Sequence, residues 1–83
     1  MRVVILPAAR RDIAGLSREV AARVERAVDA LAGNPRPPGC QLLRDRIPRI
    51  WRVRVGDWRI LYDIDDGASI VTILRILHRS KAY

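Results

Sequence analysis

Arg52, Arg54 and Arg59 are spaced to crowd three guanidinium groups onto one face of a β-hairpin. The stretch Trp51-Arg52-Val53-Arg54-Val55-Gly56-Asp57-Trp58-Arg59-Ile60-Leu61-Tyr62 reads as two alternating strands joined by the two-residue turn Gly56-Asp57. A tight turn there sets Val55 opposite Trp58 and Arg54 directly opposite Arg59. Trp51, Val53, Val55, Trp58, Ile60 and Tyr62 then share one face and make a core, while the arginines share the other with Leu61. Like charges directly opposite one another destabilise a sheet. A guanidinium cluster held on such a frame points to an absent anion, and forked N–H donors suit phosphate. Arg44, Arg46 and Arg49 precede the hairpin and extend the basic surface toward it. His78, Arg79 and Tyr83 follow the last strand and are expected to meet the hairpin arginines at one end of the sheet. Among these groups the imidazole is the one whose ordinary pKa of about 6.5 suits proton transfer near neutrality.

The elements that must position these residues are legible in outline. Val3 to Leu6 form a short first strand, and Pro7 suits a helix N-terminus. Ala9, Ile13 and Leu16 mark a brief helical face ended near Gly15, and Ser17 is an N-cap for the next helix. Val20, Val24, Ala27, Val28 and Leu31 follow helical spacing, Glu19 is placed to pair with Arg23, and Gly33 with Pro35 ends the helix. Residues 8–32 are thus expected to form a helical hairpin covering one face of the sheet. Residues 33–49 carry four prolines, with Cys40-Gln41-Leu42-Leu43 as a short strand among them. Asp65-Asp66-Gly67 reads as a turn rather than a metal site, because no further acids stand at useful spacing. Ile70 to Leu77 suits a central strand buried on both faces, with Arg75 in it expected to pair with an acid such as Asp63. The order gives an α+β fold: a small, mainly antiparallel sheet with helices packed on one face and the arginines on the other. Trp51, Trp58 and Tyr62 alternate to the helix side, so they read as core rather than as a stacking platform for bases.

Size and composition narrow the setting. Eighty-three residues make one domain, 1–83, with no room for a second. The formal charge of +7 favours anionic partners such as nucleic acid or an acidic protein. Fifteen of the 16 basic residues are arginine, and the net charge acts physically whatever the origin of that skew. Cys40 is the single cysteine, so no internal disulfide forms and a reducing cytoplasm is the expected compartment. No apolar run approaches the length of a membrane span, and no metal or cofactor is expected.

The hairpin pattern from Trp51 to Tyr62, together with Ile76-Leu77-His78-Arg79 and Tyr83, resembles the RelE/ParE toxin family of bacterial toxin–antitoxin systems. The likeness extends over essentially the whole chain, including the leading helices and Leu42-Leu43-Arg44. For RelE-like members it implies metal-independent cleavage of mRNA in the ribosomal decoding site, and for ParE-like members inhibition of DNA gyrase without nuclease activity. An inactive domain that binds antitoxin as a co-repressor is the third reading. On the RelE reading Arg59 and Arg79 stabilise the scissile phosphate and Arg52, Arg54, Arg44 and Arg46 bind RNA. His78 or Tyr83 moves protons, or Tyr83 stacks on a base. Lysines stand at the positions of Arg52 and Arg54 in the best-known RelE pattern. Arginine, with a pKa above about 12, cannot act as the base. The implied partners are a cognate antitoxin and the ribosome with its mRNA, or gyrase on the alternative.

Overall fold

A computed structural model describes residues 1–81. Two helices and five strands follow in the order β1 (Arg2–Ile5), α1 (Pro7–Ala14), α2 (Arg18–Gly33), β2 (Gln41–Arg44), β3 (Ile50–Val55), β4 (Trp58–Asp65) and β5 (Ile70–His78). The strands lie in the order β1-β5-β4-β3-β2. β1 runs parallel to β5, and every other pairing is antiparallel. This is the expected α+β arrangement.

Local chemistry explains the helix limits. Pro7 opens α1, its missing N–H falling where a helix has no internal partner for one. The Leu6 N–H still donates to the Ile73 carbonyl, so the chain leaves the sheet and enters the helix within one residue. The Gly15 N–H closes α1 on the Arg11 and Asp12 carbonyls, and the Ser17 hydroxyl accepts from Val20 N at 3.3 Å to start α2. The helices supply Ala9, Val24, Val28 and Leu31 to a core completed by Ile60, Tyr62, Ile64, Val71, Ile73 and Ile76. Full burial of side chains of this size contributes roughly 1.5–3 kcal/mol each.

Three expectations change. The helices do not form a hairpin packed on itself: α1 leans chiefly on β5, while α2 spreads across β1, β3 and β5. Their apolar stripes are short, and each is spent on the sheet. β5 is a central strand as expected, lying between β1 and β4, yet only one of its faces is sealed. Val71, Ile73 and Ile76 are buried, whereas Thr72, Leu74 and Leu77 are half-buried and Arg75 is exposed. Finally, Arg75 pairs with Asp12 of α1 and not with Asp63. Leu61 aligns with Arg75 but Tyr62 with Ile73, so Leu74 is an extra residue in β5 and Asp63 falls opposite Thr72. Beyond that bulge β1 has ended and the outer edge of β5 is bare. Asp12 covers it, its Oδ2 accepting from Ile76 N at 2.9 Å and from Arg75 Nε at 2.7 Å, and its Oδ1 from Arg75 Nη2 at 3.1 Å.

Candidate anion-binding site

The hairpin closes in the register its sequence implies. Val55 faces Trp58 and Arg54 faces Arg59, with Gly56 at φ +58° in the turn. Two-residue turns need such left-handed backbone, which glycine adopts without a steric penalty. Ile60 and Tyr62 point into the core with Trp51, Val53, Val55 and Trp58 packed around them. On the opposite face no helix lies over the sheet, yet Leu61 is only 3% exposed. Its cross-strand neighbours are Arg52 and Arg75, and long arginine stems cover apolar surface while their heads stay in water.

Arg59 occupies the middle of the cationic group. Its Nη1 donates to the Gly56 and Trp58 carbonyls, each at 3.2 Å. Desolvation, followed by the positive charges of Arg54, Arg52 and Arg79, pulls its pKa below the ordinary arginine value, with Asp57 opposing. The guanidinium remains charged at any physiological pH, but it is held where a further negative charge is favourable. Arg52 donates from Nη2 to Gln41 Oε1 of β2 at 2.6 Å, while its Nε is buried without a hydrogen-bond partner among the described residues. Arg79 is fixed to the turn. Its backbone N–H donates to the Asp57 carbonyl at 2.8 Å, and its Nε stands 3.9 Å from Asp57 Oδ1. Arg52, Arg54, Arg59 and Arg79 therefore gather around one turn with a single acid, Asp57, beside them.

Other expected site residues lie elsewhere. Arg44 aligns with Ile50 at the far end of β3, roughly 13 Å along the strand from Arg54 at about 3.3 Å per residue. Arg46 follows in the exposed connection, where neighbouring Arg49 pairs with Asp45 at 3.3 Å. These form an outer basic patch rather than part of the turn cluster. His78 aligns with Trp58 and so stands on the helix side of the sheet, with Leu77 taking the place opposite Arg59. Its ring meets the Trp58 indole edge-on at 5.2 Å. The Ser80 N–H donates to His78 Nδ1 at 3.3 Å, with Ser80 Oγ at 3.0 Å, which assigns the proton of the neutral ring to Nε2. A shallow cleft of about 300 Å³ surrounds it, lined also by Arg11, Asp12, Arg75 and Lys81. Tyr83 lies outside the described residues. On the arginine face the described groups can bind and neutralise phosphate oxygens, and none of the four arginines can exchange a proton near neutrality.

Residues 3–83 match the family described as the ParE toxin of the type II toxin–antitoxin system parDE. The chain belongs to the RelE/ParE toxin family. Toxin RelE of Mycobacterium tuberculosis is 38% identical to it over 82 residues, spanning 98% of this chain and 84% of that protein. The toxin–antitoxin complex RelBE2 of the same organism contains a chain of the same fold. It has 33% identity and a TM-score of 0.81 over 94% of this chain and 96% of that one. The RelE–RelB complex of Pyrococcus horikoshii shares the fold at 24% identity, with a TM-score of 0.84 over 98% and 97% of the two chains. This RelE/ParE protein is thus a toxin of a type II toxin–antitoxin system, and in it the family's sheet carries an all-arginine cation cluster at the β3–β4 turn.

Two contributors to the site went unread in the sequence. Gln41 becomes visible only once β2 pairs with β3, which brings it beside Arg52. Arg23 carries a sharper signal: the Cβ that any other residue would place at Gly56 comes within 3.3 Å of its Nη2 and 3.4 Å of its Nη1. Nothing in the spacing of α2 marks that contact.

Proposed function

We propose that this toxin is an mRNA endoribonuclease that acts on the translating ribosome in the cytoplasm and so inhibits translation. The observation that carries this reading is the register pairing of Arg54 with Arg59, flanked by Arg52 and Arg79, with Asp57 the one acid at the turn. In the proposed reaction the ribose 2′-oxygen attacks the adjacent phosphorus and the bond from phosphorus to the 5′-oxygen breaks. The products are a 2′,3′-cyclic phosphate and a 5′-OH; one proton leaves the 2′-OH and one joins the 5′-oxygen. Arg59 and Arg79 stabilise the charge that builds on the pentacoordinate phosphate, which fixed donors in place before the reaction do well. Arg52 and Arg54 hold the strand, and Arg44 with Arg46 provides outer contacts. Tyr83, which the family resemblance assigns to the site, transfers protons or stacks on a base. His78, on the other face, supports the frame through Trp58 instead of moving protons. No metal is needed on this reading, since the guanidinium groups supply the electrostatic stabilisation. An antitoxin is the cognate partner, covering the basic face with an acidic or amphipathic segment.

The test is induced synthesis of wild type and Arg59→Ala with mapping of transcript 5′-ends. Translated mRNAs should acquire new 5′-OH ends, and Arg59→Ala should lower the cleavage rate by about 10²–10³-fold, the usual effect of removing one such donor. Arrested growth with intact transcripts and trapped gyrase–DNA breaks would overturn the reading in favour of a gyrase inhibitor. That second reading is favoured by the ParE description of the matched family and by the position of His78 away from the arginines. Absence of any growth defect, together with tight antitoxin binding, would indicate a co-repressor.

A further inference from the structure

The β3–β4 turn touches more cations than the sheet face supplies. Gly56 meets two arginines at once: its carbonyl accepts from Arg59 Nη1 at 3.2 Å, and the guanidinium of Arg23 fills the space its missing side chain leaves open. The next residue, Asp57, accepts the Arg79 N–H on its carbonyl and faces Arg79 Nε with its carboxylate. Three guanidinium groups from α2, β4 and the end of β5 therefore converge on a two-residue turn that carries one carboxylate. Arg23 is exposed. The pairing with Glu19 that helix spacing allows is not among the ion pairs of the described residues, whose acids are Asp66, Asp45, Asp12 and Asp57. Its long side chain extends toward the hairpin tip instead. Like charges brought together across three separate elements call for a shared anion, and a polyanion that passes over the tip answers all three.

We propose that Arg23 is a further RNA-backbone contact, carrying the strand over the Gly56-Asp57 tip from the arginine face of the sheet to the flank of α2. The inference rests on the endoribonuclease reading and extends its binding site onto the helix layer. Gly56 then has two duties. It supplies the left-handed turn, and it leaves room for the Arg23 head to lie against the backbone beside Arg59. Arg23 is a binding residue, so its loss weakens attachment of RNA.

The test measures binding of a 2′-O-methylated single-stranded RNA oligonucleotide, which cannot be cut, by fluorescence anisotropy across a salt series. Each phosphate contact on a single strand contributes about 0.7 to the slope of log affinity against log salt. Arg23→Gln keeps the stem and removes the charge. It should reduce that slope by about 0.7 and weaken binding roughly two- to fivefold near 0.1 M salt, and Arg23→Lys should restore both. Arg2→Ala serves as the control, because Arg2 is exposed on β1 and aligned with Ile70, at the opposite end of β5 from the turn. An unaltered slope in Arg23→Gln, or an equal loss in Arg2→Ala, overturns the proposal. If Arg59→Ala lowers the slope while Arg23→Gln does not, the inference fails and the endoribonuclease reading survives. If neither lowers it, or wild type shows no salt-dependent binding, the inference fails, and the endoribonuclease reading stands or falls on the transcript 5′-ends. An effect of Arg23→Gln confined to antitoxin binding would assign the arginine to that partner and likewise overturn the RNA contact.

Discussion

Replacing Asp12 with alanine tests the account of how the end of β5 is held in place, and through it Arg79. The carboxylate receives the Ile76 N–H at 2.9 Å on a strand edge that β1 has ceased to cover. Ile76 is only 2% exposed, so its amide has no ready replacement from water. An orphaned buried donor costs about 1–3 kcal/mol. The arm to Arg75 adds little beyond that, because the Arg75 side chain is 47% exposed and water takes over its donors. For a domain of this size, about 2 kcal/mol corresponds to a fall in Tm of roughly 8–16 °C. Asp12→Asn keeps an acceptor oxygen for Ile76 and should lose about half as much. Urea unfolding should show the midpoint moving with the slope unchanged. Burial alone would raise the Asp12 carboxyl, but the hydrogen bonds from Arg75 and Ile76 and the charges of Arg75 and Arg11 outweigh it, so its pKa lies below the ordinary value. A folded-state pKa below the unfolded one stabilises the protein above about pH 4 and loses that contribution as pH falls through the folded value. The acid limb of stability should therefore flatten in Asp12→Asn. An Asp12→Ala protein within 0.5 kcal/mol of wild type, or an acid limb identical in Asp12→Asn, would refute the reasoning.

Substitutions at two further positions probe the frame around the site. Gly56→Ala should cost about 1–2 kcal/mol for its left-handed backbone, as measured by urea unfolding. It should also displace the Arg23 head, whereas Gly56→Asn should cost less because asparagine tolerates that region. Tyr62→Phe removes the hydroxyl that donates to the Pro35 carbonyl at 2.8 Å, so a loss of about 1 kcal/mol is expected. Amide exchange should quicken in the connection between α2 and β2. Burial, with the neighbouring Cys40, pushes the Tyr62 phenol well above its usual range, so ultraviolet titration should show one tyrosine silent past pH 10 in wild type and absent in the variant.

The hairpin was legible because its signal is local. A Gly-Asp pair between alternating strands fixes both turn and register, and Arg54 opposite Arg59 follows without knowledge of the rest of the chain. Pro7, Gly15 and Ser17 likewise mark backbone positions with one neighbour's worth of chemistry. What failed to show were consequences of pairing between distant segments. The extra residue Leu74 shifts every alignment before it by one, which removes Asp63 from the reach of Arg75 and leaves Asp12 to answer. His78 was expected beside the arginines because it follows the strand that leads to them. Alternation along β5 turns it to the Trp58 side instead, and the neighbouring Arg79 is the residue that reaches the turn. Helix spacing offered Glu19 as the partner of Arg23, but exposed pairs of that kind are worth only a few tenths of a kcal/mol, so a contact at the hairpin tip easily displaces it.

The parallel pairing of β1 with β5 has a consequence in time. Arg2 meets Ile70 and Ile5 meets Ile73, so the first strand made has no partner until the fifth has been synthesised. Closing so long a stretch of chain is slow compared with forming helices or the β3–β4 hairpin. Until β5 docks, the chain lacks the edge of the sheet against which Val3 and Ile5 pack. Arg79 follows β5 directly, and its amide reaches Asp57 only when that strand has docked. The full cation cluster therefore arises at the last stage of folding, after every other element of the sheet has been made.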